Sequence, residues 1–453
     1  MIVISPRLVA AEVLLSVIQQ QEYNNNALKR ALRQNGAMSR QDRAFVTELV
    51  NGTLRNQICL DYCLEQFSRT PVKKMKPLVQ VVLRMSLYQM MFLSVPDHAA
   101  INEAVSLVKK KGLGSLAGFV NGVLRSAAKG WRDIAFPDKE KSPAEYLEKK
   151  YSHPLWVVKM WLAQYPFAFV EALCAADNEK PKVSIVANTT KISPQALKDQ
   201  LEAEGVQVEE GHFLPQVLSL KGSADVTKLP SFQAGLFHVQ DESSALAASS
   251  VGGKEGWHVL DACAAPGGKS FFLAEQMGKN GVVESRDIFP HKVELLKEGA
   301  ARLHLTTVQA RQQDASVALE EDKEQFDAVL VDAPCSGLGL LRKKADIRYR
   351  RKGEDLDSLI PLQRQILTAA AKAVRPGGVL VYSTCTICKK ENEGNRTWFL
   401  ENHPDFVAED LTPYLPQKIE SDSLQEGYVT LFPHIHETDG FFIARFRRKE
   451  AEK

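Results

Sequence analysis

The chain has 453 residues, of which 44% are hydrophobic, 25% charged and 8% aromatic, and its formal net charge is +2. These values are typical of globular proteins and exclude a disordered or fibrous chain, and the length predicts more than one domain. No apolar run approaches the ~20 residues that cross a bilayer, and the first residues lack the pattern of a secretory signal. We therefore expect a cytoplasmic protein that does not bind membranes.

The charge is unevenly distributed along the chain. Residues 1–130 carry 17 Lys and Arg against 8 Asp and Glu, a net +9, and the remainder is therefore at −7. A basic segment on an acidic body is typical of a protein that meets a polyanion such as a nucleic acid. Solvated basic helix faces are the alternative explanation.

Apolar residues at spacings of three and four predict helices almost throughout residues 5–130, for example over 6–21, 39–54, 76–93, 99–111 and 115–128. A charged, proline-containing linker follows at 130–150, and 145–175 is again helical. Strands are predicted at 182–187, 206–208 and 217–220, with a helix at 193–204. We divide this part into a helical domain, 1–130, and linker helices with a small α+β domain, 140–235.

From residue 236 strands and helices alternate. Strands are predicted at 258–263, 281–288, 307–311, 326–332 and 378–383, and helices at 269–277, 290–303, 359–374 and 391–402. Residues 428–432 and 440–446 predict a closing antiparallel pair. Continuous apolar strands joined by helices predict a doubly wound, Rossmann-like α/β domain over residues 236–449.

A glycine-rich turn connects the first strand of this domain to its helix. Glycines allow close approach of a ligand, and the helix N-terminus offers free N–H groups. Asp287 ends the second strand about 20 residues later, where an acid can bind a ribose diol, and Asp314 follows the third. The pattern favours an adenosine cofactor over a merely structural turn, and it does not separate NAD from S-adenosylmethionine. The turn comprises Cys263, Ala264, Ala265, Pro266, Gly267, Gly268 and Lys269.

Two cysteines follow the fourth and fifth strands of the same sheet. Cys335 lies in Asp332-Ala-Pro-Cys-Ser-Gly, and Cys385 lies in Ser-Thr-Cys-Thr. The first, fourth and fifth strands are neighbours in such a sheet, so their loops should converge. A thiolate that adds to C6 of cytosine makes C5 nucleophilic, and a second thiol could assist its release. Packing cysteines are the alternative.

The other cysteines predict no chemistry. Cys59 and Cys63 stand four apart on a predicted helix and are interpreted as buried packing thiols. Cys385 and Cys388 form a C-x-x-C pattern, which we interpret as accidental. No metal site is expected.

The motifs together resemble those of the NOP/NOL/SUN family of RNA cytosine-5 methyltransferases. The resemblance rests on DACAAPGGKS, DAPCSGLG, STCT followed by Glu391-Asn392, VQDESS at 239–244 and DGFF at 439–442. It implies that Cys385 is the nucleophile and that Cys335 aids enzyme release. It also implies S-adenosylmethionine as cofactor, held by the residues from Cys263 to Lys269 and by Asp287, Asp314 and Asp332, the last also near the target base.

Residues 42–55 and 119–125 resemble a NusB-like helical domain, and YSHP at 151–154 is similar to the segment that follows it. This combination resembles the bacterial members that methylate a cytosine of 16S rRNA. It implies free or partly assembled small-subunit RNA as the partner, with no protein partner evident. Ala345 stands where the family usually has proline, and Val186 where it often has arginine, which leaves a loop geometry and an RNA contact open.

Three other interpretations compete with this one. A binding module with a degenerate cofactor site is disfavoured because it would need neither Cys335 nor Cys385. An NAD-linked oxidoreductase is disfavoured by the glycine spacing. Methylation of tRNA by the same chemistry stays open.

Overall fold

The computed structural model describes residues 5–222 and 225–450. The chain forms two compact units, a helical unit of Met1–Lys180 with Leu341–Lys352 and a sheet unit of Pro181–Leu340 with Gly353–Lys453. The three predicted segments, 1–130, 140–235 and 236–449, remain predictions, and residues 1–4 and 223–224 of them lie outside the described residues. The predicted combination of a helical N-terminal part, a small middle part and a doubly wound α/β part is confirmed.

Both units contain α-helices. In chain order they are α1 Pro6–Gln19, α2 Asn24–Gln34, α3 Arg40–Arg55, α4 Gln57–Glu65, α5 Pro77–Phe92, α6 Asp97–Lys110, α7 Ala117–Gly130, α8 Pro143–Tyr151, α9 Leu155–Leu162, α10 Phe167–Ala176, α11 Pro194–Ala203, α12 Pro230–Gln233, α13 Glu242–Ser249, α14 Gly268–Met277, α15 Pro290–Leu303, α16 Ile347–Arg350, α17 Leu356–Ala373, α18 Glu393–Asn402 and α19 Pro433–His436.

The strands form two sheets in the sheet unit. They are β1 Val183–Ala187, β2 Gln207–Glu210, β3 Val217–Lys221, β4 Phe237–Val239, β5 His258–Asp261, β6 Val282–Asp287, β7 Val308–Gln312, β8 Phe326–Asp332, β9 Val374–Thr384, β10 Phe406–Ala408, β11 Tyr428–Leu431 and β12 Phe441–Arg448. The small sheet has the order β2-β3-β1-β4, and the large one the order β10-β12-β9-β8-β5-β6-β7, with β11 paired to β12.

The helical unit is built from amphipathic helices around one apolar core. Local side chains determine where its helices begin. The Ser39 hydroxyl accepts a hydrogen bond from the backbone N–H of Asp42 and caps the N-terminus of α3. Proline opens α1 and α5, where its missing N–H costs nothing. Helix α4 confirms the helix predicted at Cys59 and Cys63, and α2 lies between the named ranges in a segment expected to be helical almost throughout. No helix of the described ranges is long and apolar enough to cross a membrane.

The segment Leu341–Lys352 of the helical unit comes from far along the chain. The guanidinium of Arg348 is buried and donates hydrogen bonds to the backbone carbonyls of Arg55, Ser152 and Asp177, at 2.8 to 3.0 Å. Ala345 lies in the apolar core of the unit. The position that departs from the family pattern is therefore a packing position of the helical unit.

The small sheet of the sheet unit is antiparallel. Val186 lies in its strand β1, paired with Val217 on one side and His238 on the other, and it is fully buried. The side chain that stands in place of the family's arginine therefore packs in the core of the sheet unit.

Candidate active site

The carboxyl ends of three parallel strands bring the predicted motifs to one edge of the large sheet. Strand β8 pairs in parallel with β5 on one side and β9 on the other. The predicted adjacency of the first, fourth and fifth strands is confirmed. The glycine-rich turn follows β5, the DAPCSG loop follows β8 and the STCT segment ends β9, so their side chains meet where ligands bind in such sheets.

The glycine-rich turn from Cys263 to Gly268 is fixed by its backbone. The N–H of Ala264 donates to the carbonyl of Arg286 at 2.7 Å, which ties the turn to the end of β6. Gly267 has φ +116°, and a Cβ there would collide with the Phe271 ring, so only glycine suits this position. The turn delivers the N-terminus of α14 to the carboxyl edge, where its N–H groups can face a ligand.

Two carboxylates stand beyond this turn along the same edge. Asp287 ends β6, accepts a hydrogen bond from the N–H of Phe289 at 3.1 Å and lies 3.4 Å from the Lys292 ammonium. Asp314 follows β7 and accepts hydrogen bonds from the N–H and the hydroxyl of Ser316 at 2.9 and 2.7 Å. Both predicted acids are therefore held in defined orientations.

The residues beside Asp287 fit an adenosine group. Ile288 and Phe289 follow it directly, and each leaves nearly half of its surface in solvent, 47% and 49%. A nucleoside needs an apolar surface for its base and an oxygen acceptor for its ribose hydroxyls, and this short segment offers both. Among the described residues no group of three or more His, Cys, Asp or Glu side chains could hold a metal ion.

A lysine and an aspartate form an ion pair at the centre of the edge. The Lys269 ammonium lies 2.6 Å from Asp332 and 5.3 Å from the centroid of the Phe441 ring. The second oxygen of Asp332 accepts a hydrogen bond from the Ser383 hydroxyl at 2.9 Å. Burial alone would lower the pKa of Lys269, but the nearby carboxylates of Asp332 and Asp261 outweigh it and raise the pKa. The lysine is therefore a fixed cation.

Two titratable groups at the turn have raised pKa values. Burial raises the pKa of Asp261 to about 7, and the negative charge of Asp332 contributes to the rise. The hydrogen bond from Ser270 and the cation of Lys269 act in the opposite direction. Burial also raises the pKa of the Cys263 thiol, with further contributions from the neighbouring carboxylates. Cys263 is thus a thiol, not a thiolate, at neutral pH.

Cys335 and Cys385 face each other directly, with their Sγ atoms 3.3 Å apart. Cys335 is buried, whereas Cys385 is partly exposed. The hydrogen bond to Cys385 raises the pKa of Cys335 well above its usual value, and burial and the carboxylates of Glu391 and Asp332 raise it further. Cys335 therefore keeps its proton and can donate it towards Cys385.

Close glycine contacts lock the loops of this edge together. The N–H of Gly339 donates to the carbonyl of Cys385 at 3.0 Å, and the N–H of Gly440 donates to the carbonyl of Gly339 at 2.9 Å. A Cβ on Gly339 would collide with the backbone of Gly440. The DAPCSGLG, STCT and DGFF segments therefore form one assembly.

One residue of the family resemblance, Glu391, belongs to this assembly although the sequence assigned it no role. Glu391 is fully buried behind the two cysteine loops and accepts hydrogen bonds from Ser336. The predicted helix began at residue 391, whereas α18 begins at Glu393. Its place after the STCT segment, beside Asn392, is part of the resemblance, whereas its hydrogen bonds to Ser336 come from the fold.

Family models cover most of the chain. Residues 4–129 match the NusB family, residues 153–227 match the ferredoxin-like domain of RsmF/B-like methyltransferases, and residues 250–447 match the 16S rRNA methyltransferase RsmB/F model. The ferredoxin-like match covers α9, α10, α11 and three strands of the small sheet, β1 to β3.

Known proteins match over nearly the whole length. The probable ribosomal RNA small subunit methyltransferase B of Bacillus subtilis is 43% identical over 98% of this chain and 99% of its own. The Synechocystis protein of the same description is 35% identical over 98% and 100%. The crystal structure of PH0851 superposes with a TM-score of 0.82, at 27% identity over 98% of this chain and 99% of its own. The chain belongs to the ribosomal RNA small subunit methyltransferase B family, whose methyl donor is S-adenosylmethionine.

Proposed function

We propose that this chain transfers a methyl group to C5 of a cytosine in 16S rRNA through a covalent bond between Cys385 and C6 of the base. The observation that carries the proposal is the pair of thiols 3.3 Å apart, in loops that follow two adjacent parallel strands. Methylation of an amine needs no nucleophilic cysteine, so two thiols at this edge favour a pyrimidine C5 target.

The chemistry explains why a thiol is needed. C5 of cytosine is a poor nucleophile, and a bond from the Cys385 sulfur to C6 places an electron pair on C5. Bound S-adenosylmethionine supplies an electrophilic methyl group at this edge. Loss of the C5 proton to solvent then restores the C5–C6 double bond and expels the Cys385 thiolate, which leaves 5-methylcytosine, S-adenosylhomocysteine and free enzyme.

The surroundings of the two thiols divide these tasks between them. Cys385 is the partly exposed member of the pair, so it can reach a base in the crevice. Cys335 is buried and keeps its proton, because the hydrogen bond to Cys385 and burial raise its pKa. Cys335 thus stands, with its proton, next to the Cys385 sulfur when the adduct is resolved.

The lysine and the aspartate orient groups around the reacting base. Asp332 keeps 28% of its side chain exposed although Lys269 and Ser383 bind it, so it can meet the edge of a cytosine. The fixed cation of Lys269 neutralises part of the charge beside Cys385. We assign to these two residues, with Asp287, Asp314 and the glycine-rich turn from Cys263 to Gly268, the binding of cofactor and base.

The helical unit supports an RNA substrate. Residues 1–130 carry a net charge of +9, and RNA binding through phosphate contacts should weaken with rising salt. The curated relatives are described as methyltransferases of small-subunit ribosomal RNA. The target cytosine must leave any stack to expose C6, which favours free or partly assembled small-subunit RNA in the cytoplasm.

Methyl transfer from labelled S-adenosylmethionine to unmodified 16S rRNA tests the proposal with the wild type, Cys385→Ala and Cys335→Ala. We expect no transfer by Cys385→Ala and an accumulated protein–RNA adduct with Cys335→Ala, because the adduct forms and is not resolved. Mapping the labelled nucleotide identifies the cytosine.

Each part of the proposal can fail separately. Full activity of Cys385→Ala would contradict the covalent mechanism. Labelling of tRNA instead of 16S rRNA by the wild type would preserve the chemistry and replace the substrate. Turnover of Cys335→Ala at the wild-type rate would remove the release role from Cys335.

A further inference from the structure

Glu391 places a buried carboxylate behind the loop that carries Cys335. Its side chain is fully buried. One carboxylate oxygen accepts hydrogen bonds from the N–H of Ser336 and from the Gln363 amide, both at 2.9 Å. The other accepts the Ser336 hydroxyl at 2.5 Å. A carboxylate so buried requires such donors, because burying an unpaired charge is costly.

The backbone of Glu391 is itself held from behind. Its carbonyl accepts hydrogen bonds from the Tyr382 hydroxyl at 2.7 Å and from the Asn395 amide at 3.0 Å. The Asn395 amide also lies 2.7 Å from the side-chain oxygen of Gln363. These are buried side chains on β9, α17 and α18, so the carboxylate has a fixed position.

The residues on both sides of Cys335 are bound by this group. Ser336 follows the cysteine and contacts Glu391 directly. Pro334 precedes it, and its carbonyl accepts a hydrogen bond at 2.9 Å from the Gln363 amide that also binds Glu391. The carboxylate and the amide therefore clamp the loop immediately before and after the thiol.

Cys385 depends less on this clamp. It follows the last residue of β9, where Thr384 pairs with Phe442 of β12, and its carbonyl accepts a hydrogen bond from Gly339. Backbone pairing of the sheet therefore fixes Cys385. Cys335 stands three residues beyond the end of β8. Its position therefore depends on the side-chain hydrogen bonds to Pro334 and Ser336.

We propose that Glu391 is a positioning residue that holds Cys335 against Cys385, so that its loss separates formation of the protein–RNA adduct from its resolution. The inference rests on the proposed function and deepens it, because it assigns a residue to the release step alone. Ser336 is the link, since its hydroxyl also lies 2.8 Å from that of Thr386, next to Cys385.

Glu391→Gln tests this assignment with little change in size. The glutamine oxygen can accept from the Ser336 N–H and the Gln363 amide, and its nitrogen must then donate to the Ser336 hydroxyl, so that bond reverses and the charge that strengthened all three is lost. We expect first-turnover methyl transfer to RNA within about threefold of the wild type. The fraction of protein in a denaturant-resistant RNA adduct should rise roughly tenfold, and the multiple-turnover rate should fall by the same factor. A change of about tenfold is the effect expected when a hydrogen bond to a charged group is weakened.

Glu242→Gln is the matched control in the same unit. Glu242 is also a buried carboxylate, and it accepts hydrogen bonds from the backbone N–H groups of His212, Phe213 and Leu214 at 2.7 to 2.9 Å. Its substitution makes the same change of atoms at the first residue of α13, where the side chain binds the loop before β3. General destabilisation would affect both variants, whereas the adduct fraction should rise only in Glu391→Gln.

The outcomes separate this inference from the function on which it rests. An adduct fraction in Glu391→Gln equal to that of Glu242→Gln would overturn it, and so would parallel loss of first-turnover transfer and adduct. If Cys335→Ala forms no adduct while the wild type methylates RNA, the release role in the proposed function fails instead. Should Glu391→Gln not fold, Ser336→Ala removes one hydroxyl of the same link and must still raise the adduct fraction.

Discussion

Each unit of the molecule contains a pair of neighbouring thiols, and the two pairs differ in what surrounds them. In the helical unit Cys59 and Cys63 lie on α4 and are buried in the apolar core. In the sheet unit Cys335 and Cys385 come from two loops, and Cys385 reaches solvent. A hydrogen bond within the pair raises the pKa of one thiol in each, Cys59 in one and Cys335 in the other. Proximity of two thiols is therefore not what marks the reactive pair.

The difference lies in how each pair is brought together. Residues four apart on a helix are neighbours whatever their function, so the contact between Cys59 and Cys63 carries little information. Cys335 and Cys385 are 50 residues apart, and only the adjacency of β8 and β9 joins them. Convergence of distant residues at the carboxyl edge of a sheet indicates chemistry, because that edge is where ligands bind.

The largest contrast is expected in methyl transfer. Cys385→Ala removes the proposed nucleophile and should reduce transfer to RNA by roughly 10⁴-fold or more. Cys63→Ala removes only a packing group of the helical unit and should leave transfer within about twofold while it lowers stability by about 1 kcal/mol. Initial rates and urea unfolding of both variants check this. Equal losses of activity would show that the two pairs are not functionally different.

A smaller contrast is expected in alkylation of the native protein. Iodoacetamide can reach the partly exposed Cys385 directly, whereas Cys59 and Cys63 react only after local opening. Opening a packed core costs several kcal/mol, so labelling of the buried pair should be ~10³-fold slower. Peptide mass spectrometry over a time course measures the three rates. Labelling of Cys59 as fast as Cys385 would contradict the burial that defines the comparison.

The sequence predicted the reactive pair because its position follows from regular elements. Apolar runs separated by helices require a parallel sheet, and the order of strands in such a sheet is enough to place the loops of Cys335 and Cys385 side by side. The roles of Glu391 and Arg348 could not be predicted in this way. Charged residues are mostly exposed, and each of these is buried only because distant segments supply hydrogen-bond partners that leave no local pattern.

The two units also differ in their buried titratable groups, and the difference predicts opposite responses to acid. In the helical unit, burial and the nearby Arg348 cation lower the pKa of His153 to about 4, against ~6.5 in the unfolded chain. Between these values the unfolded state binds a proton that the folded state does not, so stability is lost as the pH falls from ~6.5 through 4. His153→Gln removes this loss, and its stability relative to the wild type should rise on acidification.

Asp261 of the sheet unit should show the reverse sign. Burial raises its pKa to about 7 from ~3.9 in the unfolded chain, so the folded state keeps a proton that the unfolded state has lost, and stability falls as the pH rises from ~3.9 to 7. Asp261→Asn abolishes this penalty, so its advantage over the wild type should shrink on acidification. Urea unfolding of both variants and the wild type at about pH 4.5 and 7 measures the two differences, each changing by up to ~1.4 kcal/mol per pH unit. Changes of the same sign would contradict the two assignments: a base that the folded state keeps deprotonated below pH ~6.5, and an acid that the folded state keeps protonated above pH ~3.9.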